Sequence, residues 1–356
     1  MTLSLLVPAT AVAGPPRPVG HGGAQGSAAA CSAGVWLGTL GGTPISLELR
    51  SPEDRAQVGR YYYRASLGDL FLKQDASTGE WQEEDENGKS TGLLRLSCQS
   101  ETLSGEWRSM DGARRLPVLA KAAPEAQYPV ARAGAIKPTG QKSSNFQKRR
   151  FDLLTFGPQG GGTEGVRLVG TAAGLDAINA ALRQAAVEAV SDHLECKASG
   201  RLERGPDAGY EAEIRQQVEA WNDRYVVIRT YTEGYCGGAH PWHDTFTTTF
   251  QLDTGAKVDV STWLLPEYRK DIGDASPLGR LLRKTYEKGD LGPEYSECKD
   301  SIAWNGASLH GLPGQLVFHT SAPYALTPCA EDVALPLAQV QRFLSPEGRQ
   351  AMMAFR

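Results

Sequence analysis

Residues 235–244 read Tyr235-Cys236-Gly237-Gly238-Ala239-His240-Pro241-Trp242-His243-Asp244. This segment places a cysteine, two adjacent glycines, two histidines and a carboxylate within ten residues. A strand-like run from Thr245 to Leu252 follows it and ends at the turn Asp253-Thr254-Gly255. The pattern predicts a loop that enters a β-strand. Whether that loop is a chemical site or a structural turn decides how the function of the chain is interpreted.

A metal site is the first interpretation of the loop. His240, His243 and Asp244 all carry side chains that bind divalent cations. In metalloprotease sites, however, two ligand histidines lie four apart on a helix, with a glutamate between them. Here the spacing is three, and Pro241 disfavours a helical conformation for the residue before it. We therefore predict a hydrogen-bonded loop that precedes a strand, and we expect neither a metal nor a cofactor.

The glycines and the cysteine of the loop also allow chemical interpretations. Gly237-Gly238 could form an anion-binding nest, but adjacent glycines more often supply positive φ angles or permit close approach of another strand. Cys236 could be a nucleophile with His240 as its base. In an oxidising compartment with an even number of cysteines, a disulfide is the better interpretation. We favour glycines that let the chain turn tightly beside that disulfide.

The N-terminus suggests export. Leu3 to Ala13 is a short apolar run that ends in a small-x-small pattern, and a Gly/Pro/Ala-rich stretch follows it. We predict that residues 1–30 are a signal peptide and a disordered tail, although the run lacks a preceding Lys or Arg. We see no later transmembrane segment, so we expect a periplasmic or secreted protein. The net charge of −4 and the pI near 5.9 argue against nucleic acid as a partner.

Six cysteines are spread along the chain: Cys31, Cys98, Cys196, Cys236, Cys298 and Cys329. None forms a C-x-x-C pair, which argues against structural zinc. An even number behind an export signal favours three disulfides, for which fifteen pairings are possible. The order of the predicted units favours Cys31–Cys98, Cys196–Cys236 and Cys298–Cys329, since each bridge then lies within one unit.

The strand and helix signals divide the chain into two ordered parts. Short strands with polar turns fill residues 31–120 and predict an antiparallel β-barrel or sandwich. Residues 121–148 are rich in Ala, Pro, Gly and Lys, and are expected to be a linker. Residues 149–348 combine strands with an amphipathic helix over Ala173 to about Glu195. The glycine-rich loop at 160–162 lacks the context of a phosphate-binding loop. The predicted fold class is α+β.

The second part resembles a known family. The motif Gly237-Gly238-Ala239-His240, followed by Phe250-Gln251-Leu252-Asp253-Thr254-Gly255, is similar to the family's "GGAH … FDL-TG" signature. Its closing pattern is matched by Gly311-Leu312, Leu316-Val317-Phe318, Tyr324-Ala325 and Leu335-Pro336-Leu337. This is the RsiV-like C-terminal domain family, of the type called domain of unknown function 3298, and the resemblance covers roughly residues 150–348. Domains of this family also occur beside the deacetylase domain of PdaC-type enzymes.

The resemblance implies an extracytoplasmic α+β domain with no assigned catalytic residues. The best understood member is the sensor part of a membrane-bound anti-sigma factor that binds lysozyme. This chain shows neither a membrane span nor a deacetylase domain, so only the ectodomain's binding behaviour carries over.

We therefore expect a non-enzymatic binding protein of the cell envelope, with peptidoglycan or lysozyme as its partner. Its candidate binding residues are Tyr235, Gly237, Gly238, His240, Trp242, His243 and Asp244. The alternative is a metal-dependent hydrolase that acts on cell-wall material through His240, His243 and Asp244. A third possibility is a structural envelope protein whose barrel mediates assembly.

Overall fold

The computed structural model describes residues 31–51, 57–157, 160–270, 272–288 and 298–356. The predicted signal peptide and tail therefore lie outside the described residues. Within these ranges the chain is an α+β protein that begins with a β-barrel, as its strand pattern predicts.

Eight antiparallel strands form the N-terminal barrel. They are β1 (Gly34–Leu40), β2 (Thr43–Arg50), β3 (Val58–Tyr63), β4 (Asp69–Gln74), β5 (Trp81–Glu84), β6 (Ser90–Gln99), β7 (Thr102–Ser109) and β8 (Arg115–Ala122). Each strand pairs with the next, and β1 closes the barrel by pairing with β8. Trp36, Leu47 and Trp81 are about 1 % exposed and fill the interior, because side chains on a strand point alternately to its two faces.

The segment predicted as a linker, residues 121–148, is instead structured. Helix α1 (Tyr128–Ala133) and strand β9 (Gly140–Phe146) both lie within it. Tyr128 and Arg132 are fully buried, so tertiary contacts order a stretch whose Ala, Pro and Gly content is typical of a loop. The second part of the chain therefore begins at β9, before the predicted start at residue 149.

A seven-stranded sheet is the centre of the second part. It contains β9 with β10 (Arg149–Thr155), β11 (Glu164–Leu168), β12 (Glu211–Trp221), β13 (Tyr225–Tyr235), β14 (Trp242–Gln251) and β15 (Lys257–Val258), in the order β15-β14-β13-β12-β11-β10-β9. Helix α2 (Leu175–Arg204) connects the parallel pair β11 and β12. It packs on one sheet face, with Ile178 and Leu182 in a core that also contains Val226 and Phe250.

The C-terminal residues cover part of the other face of this sheet. They form α3 (Pro277–Tyr286), α4 (Cys298–Ser301), β16 (Ala303–Leu312), β17 (Gln315–Ser321), β18 (Val333–Pro336), α5 (Leu337–Val340) and α6 (Pro346–Met352). Trp263, Leu316 and Phe343 share a core with Tyr225 and Val227 of β13. None of the helices in the described ranges has both the length and the hydropathy that a membrane crossing requires.

Buried charges connect the barrel to α2. Arg60 of β3 is 1 % exposed and donates to Glu48 and to Glu195 of α2, each at 2.8 Å. Arg132 of α1 donates at 2.6 Å to Asp69 of β4. A charge removed from water is stable only when it is paired and hydrogen-bonded. The Arg60–Glu195 pair therefore favours one orientation of the barrel on α2, and the Arg132–Asp69 pair fixes α1 to the barrel.

Candidate functional site

The loop at residues 236–241 is the turn of the β13–β14 hairpin. Cys236 forms a disulfide with Cys196 of α2, which fixes the hairpin tip to the helix. The Tyr235 hydroxyl donates to the carbonyl oxygen of Gly238 at 3.1 Å, across the turn. The other two bridges are Cys31–Cys98 and Cys298–Cys329, so all three are the pairs that the order of the units favoured. Because its sulfur is bonded, Cys236 is not a thiolate nucleophile.

Both glycines of the turn have backbone angles that other residues rarely adopt. Gly237 has φ of +95° and Gly238 has φ of +96°. A Cβ atom on Gly237 would lie 2.6 Å from the Tyr210 hydroxyl, whereas one on Gly238 would meet nothing within 4 Å. Gly237 is therefore required both by its backbone conformation and by the close approach of Tyr210.

The structure does not bring His240, His243 and Asp244 together. The Nδ1 atom of His240 lies 3.0 Å from the carbonyl oxygen of Pro241, and Asp244 accepts from the amide of Thr245 at 2.8 Å. His243 and Asp244 are adjacent on β14, so their side chains point to opposite faces of the sheet. In the described part of the chain, no three His, Cys, Asp or Glu side chains are grouped as a metal site. The metal-dependent hydrolase thus lacks its expected ligand set.

The aromatic side chains of β14 are the distinctive surface feature of the hairpin. Trp242 is 40 % exposed and Phe246 is 44 % exposed. They lie on the same face of the strand, with Asp244 between them, because positions two apart share a face. We call residues 242–248 the β14 edge. Strand β15 pairs only with Thr249 and Phe250, so among the described residues no strand covers the outer side of the β14 edge.

A polar cluster lies beside the β14 edge, on the opposite sheet face. Arg215 donates to Glu213 and, at 2.9 Å, to Glu233. The Tyr231 hydroxyl also donates to Glu233 at 2.8 Å. This hydroxyl is the main reason that the pKa of Glu233 lies below its usual value, and nearby Arg215 and His243 lower it further. Glu233 is therefore a carboxylate at neutral pH and adds negative charge near the hairpin tip.

The structure also assembles a histidine cluster that sequence reasoning missed. His319 Nδ1 lies 2.5 Å from Asp332, and His319 Nε2 lies 3.2 Å from both His310 Nδ1 and the Thr247 hydroxyl. Burial lowers the pKa of His310 to about 3, with nearby His319 and Arg229 acting in the same direction. The only signal in the sequence was a histidine, His319, directly after Leu316-Val317-Phe318 of the family's closing pattern.

In hydrolases, a carboxylate, an imidazole and a hydroxyl that are hydrogen-bonded in a row form the relay that activates a nucleophile. Here, however, His310 is fully buried and stacks on His319 with ring centroids 5.1 Å apart. The cluster joins β14, through Thr247, to β16 and β17. This geometry is that of a hydrogen-bonded joint between two sheets.

A cleft lies between the barrel and the C-terminal half of α2. Its volume is about 660 Å³. Its walls include His193, Lys197 and Arg201 of α2 and Asp69 to Phe71 of β4. Glu211, the first residue of β12, and Tyr210, which precedes it, also line the cleft. Gly161 of the glycine-rich loop also lines it. None of these residues was among the predicted binding residues, because the cleft exists only where distant segments meet.

Solved structures that are similar to part of this chain include the following two. No family model matches the chain, and no curated protein matches it. A solved structure from Bacteroides fragilis has 15% sequence identity to this chain and a TM-score of 0.41. The match covers 62% of this chain and 99% of the Bacteroides fragilis chain. A solved structure from Pseudomonas aeruginosa has 14% sequence identity and a TM-score of 0.35. That match covers 60% of this chain and 97% of the Pseudomonas aeruginosa chain. Both are described as DUF3298 proteins. That is the family which the residues around His240 resemble.

Proposed function

We propose that this chain is a non-enzymatic, extracytoplasmic binding protein of the cell envelope and that the β14 edge is its partner surface. Three disulfides support an oxidising compartment, since such bonds persist in exported proteins. The Cys196–Cys236 bridge and the two constrained glycines support a rigid hairpin tip. A rigid surface binds with a smaller loss of conformational entropy.

The observation that carries this proposal is the pairing of two exposed aromatic side chains with an open strand edge. Trp242 and Phe246 lie about 14 Å apart along the strand at the usual rise per residue. Aromatic residues dominate the energetics of protein interfaces because each buries a large area with few rotatable bonds. An unpaired edge also offers backbone N–H and C=O groups to a partner strand. Other exposed apolar residues, Met110, Leu119 and Met353, lie elsewhere in the chain.

Lysozyme is the first partner we propose, because a protein can use both the aromatic side chains and the backbone edge. The carboxylates of Glu211, Glu233 and Asp244 around the hairpin would favour a basic protein surface. Peptidoglycan is the second partner, since the exposed indole of Trp242 offers a flat apolar face to a sugar ring.

Binding measurements on a double variant test the proposal. Trp242→Ala with Phe246→Ala should weaken capture of lysozyme, or sedimentation with insoluble peptidoglycan, by about thirtyfold, equivalent to the loss of about 2 kcal/mol expected for interface anchors. The matched control, Leu119→Ala with Met353→Ala, also removes two exposed apolar side chains and should bind like the unaltered protein.

The two partners give separate readouts. Loss of lysozyme binding alone identifies a protein partner, and loss of peptidoglycan binding alone identifies a glycan partner. If the unaltered protein binds neither, or if both double variants bind equally, the proposed function is wrong.

A further inference from the structure

The histidine cluster connects the β16–β17 hairpin to the β14 edge. The Thr247 hydroxyl lies 3.3 Å from His310 Nδ1 and 3.2 Å from His319 Nε2. His310 belongs to β16 and is fully buried, and His319 belongs to β17 and is 7 % exposed. Thr247 is one of the residues of the β14 edge, so a change in the protonation of the cluster acts directly on that edge.

The hydrogen bonds of the cluster suit two neutral imidazoles. The carboxylate of Asp332 can only accept, so Nδ1 of His319 donates to it and Nε2 of a neutral His319 accepts. His310 Nδ1, which is 3.2 Å away, donates to that nitrogen. The Nε2 atom of His310 then carries a lone pair, and it has no hydrogen-bond partner within the described ranges.

A proton added to His310 would make this arrangement unfavourable. The imidazolium would have a second N–H, at Nε2, where the described residues offer no acceptor. A buried donor without an acceptor and a buried charge without a counter-ion both cost free energy. The stacked ring of His319, 5.1 Å away between centroids, could not become a cation at the same time without repulsion.

The charges around His310 do not offer it a counter-ion. Asp332 contacts His319 rather than His310, and it also pairs with Arg229 of β13 at 3.4 Å. Arg229 in turn donates to Glu219 of β12 at 3.1 Å, so the carboxylate of Glu219 is already paired. Besides His319, the titratable or charged groups that act on His310 are Arg229 and Asp332, and β14 contributes only the uncharged Thr247.

We propose that the histidine cluster is an acid-sensitive switch, in which proton uptake by His310 separates the β16–β17 hairpin from β14. Solvent reaches the cluster at Asp332, whose side chain is 32% exposed. In the separated state the imidazole of His310 lies in water and has its ordinary pKa of about 6.5. Its pKa is about 3 in the closed state, so each pH unit below 6.5 favours separation by up to about tenfold.

Separation would remove the contacts of Thr247 with both imidazoles. The β14 edge would then lose its support from the β16–β17 hairpin, and a partner bound there would be held less firmly at acid pH. This consequence for binding rests on the proposed function, whereas the switch itself does not.

Amide hydrogen exchange of the protein alone tests the switch at pH 7 and pH 5. After correction for intrinsic exchange rates, the opening constants of amides at residues 310–312 and 315–319 should be about twentyfold larger at pH 5. At pH 5 these amides should also open more readily than the slowest amides of the barrel, because the switch is a local opening.

Two variants separate the titration of His310 from the strength of the joint. His310→Gln retains a polar side chain that does not titrate, so the opening constants should become nearly equal at the two pH values. Thr247→Val is the matched control, since it removes a hydroxyl of the cluster but leaves both imidazoles. It should raise the opening constants at both pH values and retain the ratio of about twentyfold between them.

Three results would overturn the inference. They are equal opening constants at pH 7 and pH 5 in the unaltered protein, an undiminished ratio in His310→Gln, and hairpin amides that open only together with the slowest barrel amides. The first and third results need no variant, so they decide the matter even if His310→Gln does not fold. No partner is present in these measurements, and their outcome is therefore independent of whether the β14 edge binds one.

Discussion

At the scale of single residues, the sequence motif Gly237-Gly238 has two different physical roles. Both positions need a positive φ, which costs a non-glycine residue about 1–3 kcal/mol. Only Gly237 also meets Tyr210. Gly237→Ala should therefore lower the free energy of unfolding by more than Gly238→Ala does, as measured by urea denaturation.

The contact with Tyr210 can be isolated in a double-mutant cycle. Adding Tyr210→Phe to each variant removes the oxygen that lies 2.6 Å from the new Cβ. The Gly237→Ala variant should then recover part of its lost stability, and the Gly238→Ala variant should not. Equal stability losses for the two alanine variants would show that Gly237 does not make this contact.

The low pKa of His310 makes the free energy of unfolding depend on pH. Its folded-state pKa of about 3 lies below the ordinary value of 6.5, so the unfolded chain binds the proton more readily. The stability contribution is complete above pH 6.5 and is lost as pH falls towards 3, by up to about 1.4 kcal/mol per pH unit. His310→Gln should flatten this dependence, measured by urea unfolding at a series of pH values. An unchanged pH dependence in His310→Gln would contradict this assignment.

At the scale of secondary-structure elements, the sequence predicted the elements that have a strong local pattern. It missed those that depend on tertiary contacts. Helix α2 begins near the predicted start because Leu175, Ile178 and Leu182 repeat at helical spacing. It continues nine residues beyond Glu195, to Arg204, where buried Cys196 and Ala198 extend its packed face. Strand β9 was missed because its sequence, GQKSSNF, is polar and becomes ordered only by pairing with β10.

The candidate sites differ in the same way: one has a local sequence pattern, and the others are assembled by tertiary contacts. The hairpin tip could be found from the sequence because its glycines, cysteine and aromatics are consecutive. Phe246 was not predicted as a binding residue, because its exposure depends on how far β15 extends along β14. The cleft and the histidine cluster combine residues from separate elements, and no short motif marks either one.

At the scale of the whole molecule, the buried ion pairs of Arg60 should hold the barrel on α2. Arg60→Met would leave Glu48 and Glu195 without their buried partner, and we expect a loss of about 3–5 kcal/mol in unfolding free energy. Arg95→Met is the control, because Arg95 is 79% exposed where it pairs with Glu80 and such pairs contribute less than about 1 kcal/mol. Similar losses in the two variants would mean that the junction does not depend on Arg60.

The central claim, that the β14 edge is the partner surface, is tested most directly by amide hydrogen exchange with and without saturating lysozyme. A partner that covers the edge should slow exchange at the outward-facing amides of residues 242–248, while the barrel amides exchange at unchanged rates. Unchanged exchange along residues 242–248 in a sample where lysozyme is bound, with protection elsewhere in the molecule, would contradict the account.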